Sequence, residues 1–239
     1  MKAAVMDSIV TCSEAIDPLS LKDLLEEWPR QALLVAMDLY STKEQTESIK
    51  GGQDTLLALK ADYERLQESI VGLFSAERQD ANYRMACQSA LFQCMRLRDS
   101  VQKLIDHEVL SENDFSWKVM PRYADCMILL ERRPSFFLNL RYLLNGSTIQ
   151  YSIMGQIFLY LNEFLGDCAH PVWTPSLDSG IFAFFHAFST KNFPLVCGDS
   201  CAGKTTLVRE ASRLLGQTVT QRSVTSYMDV ATISEVNTL

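Results

Sequence analysis

One eight-residue stretch, Gly198-Asp-Ser-Cys-Ala-Gly203-Lys204-Thr205, restricts the fold of this chain more than any other feature. Its two glycines, followed by Lys-Thr, match the pattern G-x4-G-K-[ST]. Glycine at these positions lets the backbone turn tightly and approach an anion closely. The pattern has structural meaning only between an apolar strand and an amphipathic helix, so it predicts a strand–loop–helix unit.

The flanking sequence has the required form. Phe193–Cys197 is a short apolar run of strand length, with a proline near its start. Residues 205–215 predict a helix that ends at Gly216, where glycine is a common helix terminator. Its apolar side comprises Leu207, Val208, Ala211, Leu214 and Leu215. Thr218–Arg222 is a candidate for the next strand. The alternative interpretation is a glycine turn with a purely structural role.

The loop residues have the chemistry to hold a nucleoside triphosphate with Mg²⁺. Backbone N–H groups of such a loop point inward around the phosphates, and the positive end of the following helix adds a favourable field. Lys204 is expected to reach the β- and γ-phosphates, and the Thr205 hydroxyl to complete the Mg²⁺ shell. The Asp199 carboxylate would weaken binding by repulsion. The predicted binding residues are Gly198, Asp199, Ser200, Cys201, Ala202, Gly203, Lys204, Thr205 and Thr206.

Hydrolysis needs further residues that the sequence does not supply. A P-loop ATPase uses an aspartate at the end of an apolar strand and a group that positions water. After Lys204 the best candidate is Asp229, which follows Ser-Tyr-Met rather than an apolar run. No sensor residue or arginine finger is identifiable. We therefore assign no catalytic residue and expect no turnover by this chain alone.

The first ~110 residues predict helices from their hydrophobic spacing. The clearest repeats apolar residues three and four positions apart between Leu56 and Leu73. Further helices are predicted over 19–26, 31–50 and 85–105, the first ending at Trp28-Pro29. Charges on these helices are interpreted as solvated faces. No histidine or cysteine has the spacing of a metal ligand.

Later segments contain more proline and glycine. Ser152–Leu165 and Asp178–Ser189 are apolar, and both are interpreted as buried core helices. Neither approaches the ~20 apolar residues of a membrane-spanning helix, so no membrane partner is expected.

Composition excludes some functions. The formal net charge of −7 argues against non-specific nucleic-acid binding, which favours basic proteins. The seven cysteines are an odd number without paired spacing, and no signal peptide opens the chain. We therefore expect reduced, mostly buried thiols in a cytoplasmic protein.

Several motifs in addition to the loop resemble the dynein heavy chains, in that family's order. Residues 113–117 (NDFSW) resemble "NDFxW" at the end of the family's linker. Residues 160–166 with 172–178 (VWTPSLD) resemble "YEYLG…VITPLTD", which opens the first AAA+ module. Trp28-Pro29 to Glu44 is similar to "WPGQV…WTxE", and Tyr227-Met228-Asp229 falls where the family has "LDY".

The resemblance implies a fold class of α + α/β. Residues 1–155 would be a mostly helical, linker-like region, and residues 156–239 the N-terminal part of an incomplete P-loop (AAA+) module. It also implies ATP as the nucleotide and places Val172, Trp173, Pro175 and Leu177 near the adenine.

A dynein-like heavy chain implies particular surroundings for this chain. Its partners would be the remainder of a motor complex, with intermediate, light intermediate or light chains. Microtubules would be reached only through regions missing here. The expected location is cytoplasmic and cytoskeletal, including the ciliary or flagellar axoneme. The chain is expected to be a fragment or short isoform of such a motor.

The loop departs from the family's "GPAGTGKTE" at informative positions: Asp199 stands for Pro, Cys201 for Gly, and Thr206 for Glu. These changes favour a second hypothesis, a structural or assembly protein of a dynein complex or axoneme with a degenerate nucleotide site. A third, an unrelated P-loop kinase or GTPase, is disfavoured because no NKxD guanine motif is present and the loop lies far from the N-terminus.

Overall fold

A computed structural model describes residues 1–16, 21–75, 80–106, 108–109, 141–146, 148–153, 156–166 and 174–223. Within them the chain is α + β: five helices precede a small sheet, and two more helices follow it. The elements are α1 Lys2–Ala15, α2 Leu21–Glu27, α3 Arg30–Gly51, α4 Gln53–Ser75, α5 Ala81–Asp106, β1 Arg141–Asn145, β2 Thr148–Ile153, β3 Gln156–Leu159, α6 Pro175–Ser189 and α7 Lys204–Leu215.

The first core lies among the helices of the N-terminal half. The predicted apolar face of α4 is buried, which confirms the spacing between Leu56 and Ile70 as a helix signal. It packs against the buried side of α5, which includes Cys87, Cys94 and Val101. The Trp28-Pro29 break is confirmed, because α2 ends at Glu27 and α3 starts at Arg30.

Helix α3 takes part in two cores. Leu33, Ala36 and Met37 join the core of α4 and α5. Ala32, Val35 and Leu39, on another side of the same helix, join a second core formed with the sheet, α6 and α7. Residues 32–37, in its first half, are all buried, because the helix has a core on more than one side. Helix α3 therefore links the core of the helical region to the core that contains the helix after the loop.

The sheet corrects one sequence prediction. Ser152–Leu165, interpreted as a buried helix, instead contains the end of β2, all of β3 and an extended segment. The three strands are antiparallel in the order β1-β2-β3. Burial alternates along the chain, with Ile149 and Tyr151 inside and Gln150 between them half-buried. This period of two is the strand pattern, which the helical interpretation overlooked.

The second core holds the two C-terminal helices in place. The apolar run assigned to residues 178–189 is a helix, as predicted, with Ile181 and Phe185 fully buried. Helix α7 is also confirmed and ends at Gly216, whose φ of +67° is left-handed. Tyr151, Phe158 and Phe185 stack or meet edge to face in this core.

Two predicted strands do not form. Phe193–Cys197 and Thr218–Arg222 have no regular secondary structure. A strand needs a hydrogen-bonded neighbour, and the part of the chain described here offers none to either segment. As a result Phe193 is 99% exposed and Leu195 88% exposed.

Two expectations from composition can be compared with the described residues. None of the helices found there has the length and apolar character needed to cross a bilayer. Cys12, Cys87 and Cys94 are buried as expected, and burial raises the pKa of Cys12 and of Cys94 to about 12. Cys197 and Cys201 are instead exposed.

Candidate phosphate-binding site

The G-x4-G-K-T stretch forms a loop that closes onto its own lysine. The Lys204 ammonium donates a 2.8 Å hydrogen bond to the Gly198 carbonyl and another to the Asp199 carbonyl. A turn inside the loop adds the bond from the Ala202 amide to the Asp199 carbonyl at 3.3 Å. The two ends of the loop are therefore tied together around the Lys204 side chain.

Two residues of the loop have left-handed backbone conformations. Gly203 has φ +83° and Cys201 has φ +61°. Glycine adopts such angles without strain, whereas a residue with a Cβ atom is disfavoured by roughly 1–2 kcal/mol. Position 201 is one of those at which the resemblance expects glycine, so the structure accounts for that preference.

The loop opens to solvent at the N-terminus of α7. Residues 198–203, Thr205 and Thr206 are exposed, and Lys204 is half-buried. The first N–H groups of a helix lack carbonyl partners within the helix. Together with the helix dipole and the Lys204 charge, they make a receptacle suited to an anion. The nine residues from Gly198 to Thr206 lie in this loop and the first turn of α7, and their contact with a phosphate stays a prediction.

The residues assigned to adenine are less completely described. Val172 and Trp173 lie outside the described residues. Thr174 caps α6, accepting a 3.2 Å hydrogen bond from the Leu177 amide, and Pro175 starts the helix. Leu177 is partly buried against the second core. The motif therefore has an evident local role as a helix start, and its contact with a base remains a prediction.

Helix α7 is fixed by close contacts along its length. Near its start it crosses α6 at Gly180, where a Cβ atom would lie 2.4 Å from Leu207 Cδ1. Near its end the Tyr142 hydroxyl of β1 donates a 3.0 Å hydrogen bond to the Leu214 carbonyl. These contacts determine where the loop points, because Lys204 is the first residue of the same helix.

Residues 160–166, which have no regular secondary structure, link the end of α7 to α3. The Gln31 side chain of α3 donates to the Tyr160 hydroxyl at 2.9 Å and to the Glu163 carbonyl at 2.8 Å, and it accepts from the Leu165 amide at 3.0 Å. On its other side the segment donates to the last carbonyls of α7: Leu161 N–H to Leu215 at 3.0 Å and Glu163 N–H to Gly216 at 2.9 Å.

Sequence reasoning missed the buried charges near this segment. Four charged residues that the sequence leaves as solvated or unassigned are Asp38, Arg96, Glu210 and Arg213. Glu210, however, is only 4% exposed. The sequence did contain a signal for Glu210, which lies next to Ala211 on the apolar side of α7. No group of three or more His, Cys, Asp or Glu side chains that could hold a metal ion occurs in the described part of the chain.

These observations define an α + β protein in which the helical region shares a core with the helix of a candidate phosphate loop. The chain is similar to dynein heavy chains over most of its length. It is 24% identical to mouse dynein axonemal heavy chain 1 over 222 residues, 92% of this chain and 5% of that protein. It is 24% identical over 217 residues to rat dynein axonemal heavy chain 12, covering 90% of this chain and 6% of that protein.

A cytoplasmic dynein heavy chain shows a similar level of sequence identity. The chain is 23% identical to the cytoplasmic dynein heavy chain of Fusarium vanettenii over 205 residues, 86% of this chain and 4% of that protein. No family model matches the chain. The chain thus resembles dynein heavy chains at 23–24% identity, and it spans about one-twentieth of the length of these relatives.

Proposed function

We propose that this chain binds Mg²⁺-ATP through the loop Gly198–Thr205 as part of a dynein-like motor. The observation that carries the proposal is the closure of the loop on Lys204, whose ammonium lies 2.8 Å from the Gly198 carbonyl. An entering triphosphate offers this ammonium better acceptors than neutral carbonyls, because charge-assisted hydrogen bonds are stronger. Thr205, exposed at the first turn of α7, would supply a hydroxyl ligand to Mg²⁺ once the phosphates are bound.

The proposal assigns different roles to two parts of the chain. Residues 156–239 form the N-terminal part of an AAA+ module, and residues 1–155 form the linker-like region that responds to it. The sheet has strands on both sides of position 155, so the two parts share a core. Val172, Pro175 and Leu177 contact the adenine. Hydrolysis, microtubule attachment and the binding of intermediate or light chains require residues other than those identified here. The assembled motor would act at cytoskeletal or axonemal sites.

Equilibrium binding of a fluorescent ATP analogue with Mg²⁺ tests the proposal. Lys204→Ala is expected to weaken binding at least tenfold, because the ammonium contributes charge-assisted hydrogen bonds to the phosphates. Lys191→Ala is the matched control, since Lys191 is an exposed lysine just beyond α6 and outside the loop. Equal binding by both variants, or no saturable binding by the unaltered chain, would contradict the proposal.

A second function is favoured by two loop residues. The Asp199 carboxylate is exposed in the loop, and Cys201 adopts a left-handed conformation that disfavours side chains. Both features weaken a phosphate site. If the unaltered chain does not bind the analogue, we favour a structural or assembly role for the same architecture in a dynein complex.

A further inference from the structure

Two of the cysteines that the structure describes are exposed, and both lie at the candidate phosphate loop. Cys197 directly precedes Gly198, and Cys201 lies inside the loop. The other described cysteines are buried in helices of the N-terminal half: Cys12, Cys87 and Cys94. The expectation of buried thiols is therefore wrong at the loop, where both cysteine side chains are accessible to solvent.

The loop doubles back between Cys197 and Cys201. A Cβ atom built on Gly198 would lie 3.7 Å from the Cβ atom of Ala202. The Ala202 amide also donates a 3.3 Å hydrogen bond to the Asp199 carbonyl. Each cysteine is the residue immediately before one member of the close pair at 198 and 202. Because Cβ atoms joined by a disulfide lie about 3.8 Å apart, the loop already turns as tightly as a disulfide requires, displaced by one residue.

The backbone next to Cys197 allows this small displacement. Glycine adopts positive and negative φ angles with little strain, so rotation at Gly198 moves Cys197 relative to the turn. The Lys204 ammonium donates hydrogen bonds to the carbonyls of Gly198 and Asp199, which keeps the ends of the loop together during the movement. Because residues 197–203 are exposed and lie outside both described cores, the displacement leaves the packing of the helices unchanged.

We propose that Cys197 and Cys201 form a reversible disulfide that closes the loop and opposes nucleotide binding. The ring closed by this bond contains Gly198, Asp199 and Ser200. A loop holds an anion by turning successive backbone N–H groups towards it, and the ring restricts that rearrangement. The inference rests on the proposed function, to which it adds redox control of the same site.

Glutathione disulfide is the oxidant in this reaction, which proceeds by two thiol–disulfide exchanges. The Cys201 thiolate attacks one sulfur of glutathione disulfide, so that a mixed disulfide forms and a glutathione thiolate leaves. The Cys197 thiolate then attacks the Cys201 sulfur, which forms the internal disulfide and releases a second glutathione thiolate. The two protons lost by the cysteines are taken up by the two glutathione thiolates. Two electrons pass from the cysteines to glutathione, and excess glutathione reverses both steps.

Mass spectrometry of the full chain tests the disulfide without any nucleotide. After treatment with glutathione disulfide, free thiols are alkylated and the chain is digested with trypsin. Tryptic peptide 192–204 contains Cys197 and Cys201 and no other cysteine, so an internal disulfide leaves it unalkylated and lighter by two hydrogen atoms. We expect this product from the unaltered chain and from the control that combines Cys126→Ser with Cys168→Ser. Cys197→Ser should instead retain glutathione on Cys201.

Binding of the fluorescent Mg²⁺-ATP analogue measures what the disulfide does to the loop. We expect oxidation of the unaltered chain to weaken binding about tenfold or more, because apparent affinity falls with the fraction of chains whose loop can open. Excess glutathione should restore binding. Cys201→Ser, compared with itself before and after oxidation, should show no change.

The outcomes separate this proposal from the proposed function. A disulfide from the loop to Cys126 or Cys168, or a mixed disulfide with glutathione as the final product of the unaltered chain, overturns the Cys197–Cys201 pairing. Failure of the reduced, unaltered chain to bind the analogue overturns the proposed function and the redox control of binding, whereas the peptide mass still decides whether the disulfide forms. Binding that Lys204→Ala loses but that the mapped disulfide leaves unchanged overturns the redox control alone.

Discussion

The ring of Tyr160 covers Gly216 so closely that a Cβ atom at position 216 would lie 2.5 Å from the ring carbon Cζ. Gly216 also has φ +67°, a left-handed conformation at the end of α7. Two independent constraints therefore require glycine here. The Tyr160 hydroxyl in turn accepts a hydrogen bond from Gln31 at 2.9 Å, so the contact connects the end of α7 to α3.

Gly216→Ala is therefore expected to destabilise the chain by about 2–4 kcal/mol, combining left-handed strain with overpacking against the ring. The matched control is Gly146→Ala, because Gly146 has φ +58° but nothing within 4 Å of an added Cβ. That variant should lose only about 1–2 kcal/mol. Urea denaturation measures both, and equal losses would show that the Tyr160 contact contributes nothing.

Helices α2 to α7 could be predicted from the sequence because their apolar spacing is local, whereas α1 is covered only by the general helical pattern of the first ~110 residues. The start of α3 after Pro29 and the end of α7 at Gly216 follow from backbone chemistry of single residues. The hairpin between β1 and β2 was missed although it had a signal. Asn145-Gly146 lies between apolar runs, and such a pair strongly favours a hairpin turn.

The remaining differences concern long-range partners. The sequence located the loop from Gly198 to Thr206, and a strand before it was inferred from composition alone. Strand formation at Phe193–Cys197 depends on a neighbouring strand, which local pattern cannot supply. The core shared by Val35 and Leu39 of α3 with Ala211 and Leu214 of α7 depends on the packing of helices that lie far apart in the chain. Spacing rules describe one element at a time and cannot reveal such pairs.

Cys201 has φ +61° in the candidate phosphate loop, so glycine should suit this position better. Cys201→Gly removes strain of about 1–2 kcal/mol from the loop. We expect binding of the fluorescent ATP analogue to strengthen up to about tenfold if the strain opposes the bound form. Cys197→Gly is the control, since Cys197 lies just before the loop without a positive φ. A gain in both variants would indicate added flexibility rather than relief of strain.

Asp199 places a carboxylate in the exposed loop whose ligand is proposed to be an anion. Asp199→Asn should strengthen binding of the Mg²⁺-ATP analogue about two- to fivefold at low salt, with a smaller gain at high salt because exposed charges are screened. The control Asp7→Asn makes the same change in net charge at an exposed position of α1. A salt-independent gain would contradict an electrostatic cause.

Phe193 and Leu195 expose apolar side chains at 99% and 88% on a segment without a strand partner. Exposed apolar side chains on a segment whose backbone lacks a strand partner promote association. We expect the isolated chain to self-associate in sedimentation velocity experiments at micromolar concentration. Phe193→Ser with Leu195→Ser should reduce that association, whereas Leu57→Ser, at an exposed position of α4, should not. A monodisperse unaltered chain with one cooperative melting transition would argue against this expectation.

The Glu163 side chain forms hydrogen bonds with the segment just beyond α7. Its Oε2 atom accepts from the Thr218 amide at 2.9 Å and hydroxyl at 2.8 Å, and its Oε1 atom pairs with Lys2 at 3.0 Å. These bonds, led by that from the Thr218 amide, lower the pKa of Glu163 from its ordinary 4.5 to about 2. The lysine contributes less to stability because its side chain is 62% exposed.

A carboxyl group whose pKa is lower in the folded state binds protons more readily when unfolded. Its contribution to stability is therefore complete above pH 4.5 and is lost as the pH falls towards 2. Glu163→Gln should make the chain less stable at pH 7, and the difference from the unaltered chain should shrink between pH 4.5 and 2. Urea denaturation across this range measures the difference.

Glu64→Gln provides the control, because Glu64 is 49% exposed and pairs with Lys60 at 3.5 Å within α4. It should change the free energy of unfolding by less than about 0.5 kcal/mol at each pH. If the difference between Glu163→Gln and the unaltered chain stayed constant from pH 7 down to 3, the bonds to Thr218 would not depend on the charge of Glu163. No difference at any pH would instead show that the backbone bonds of residues 161 and 163 hold the segment after α7.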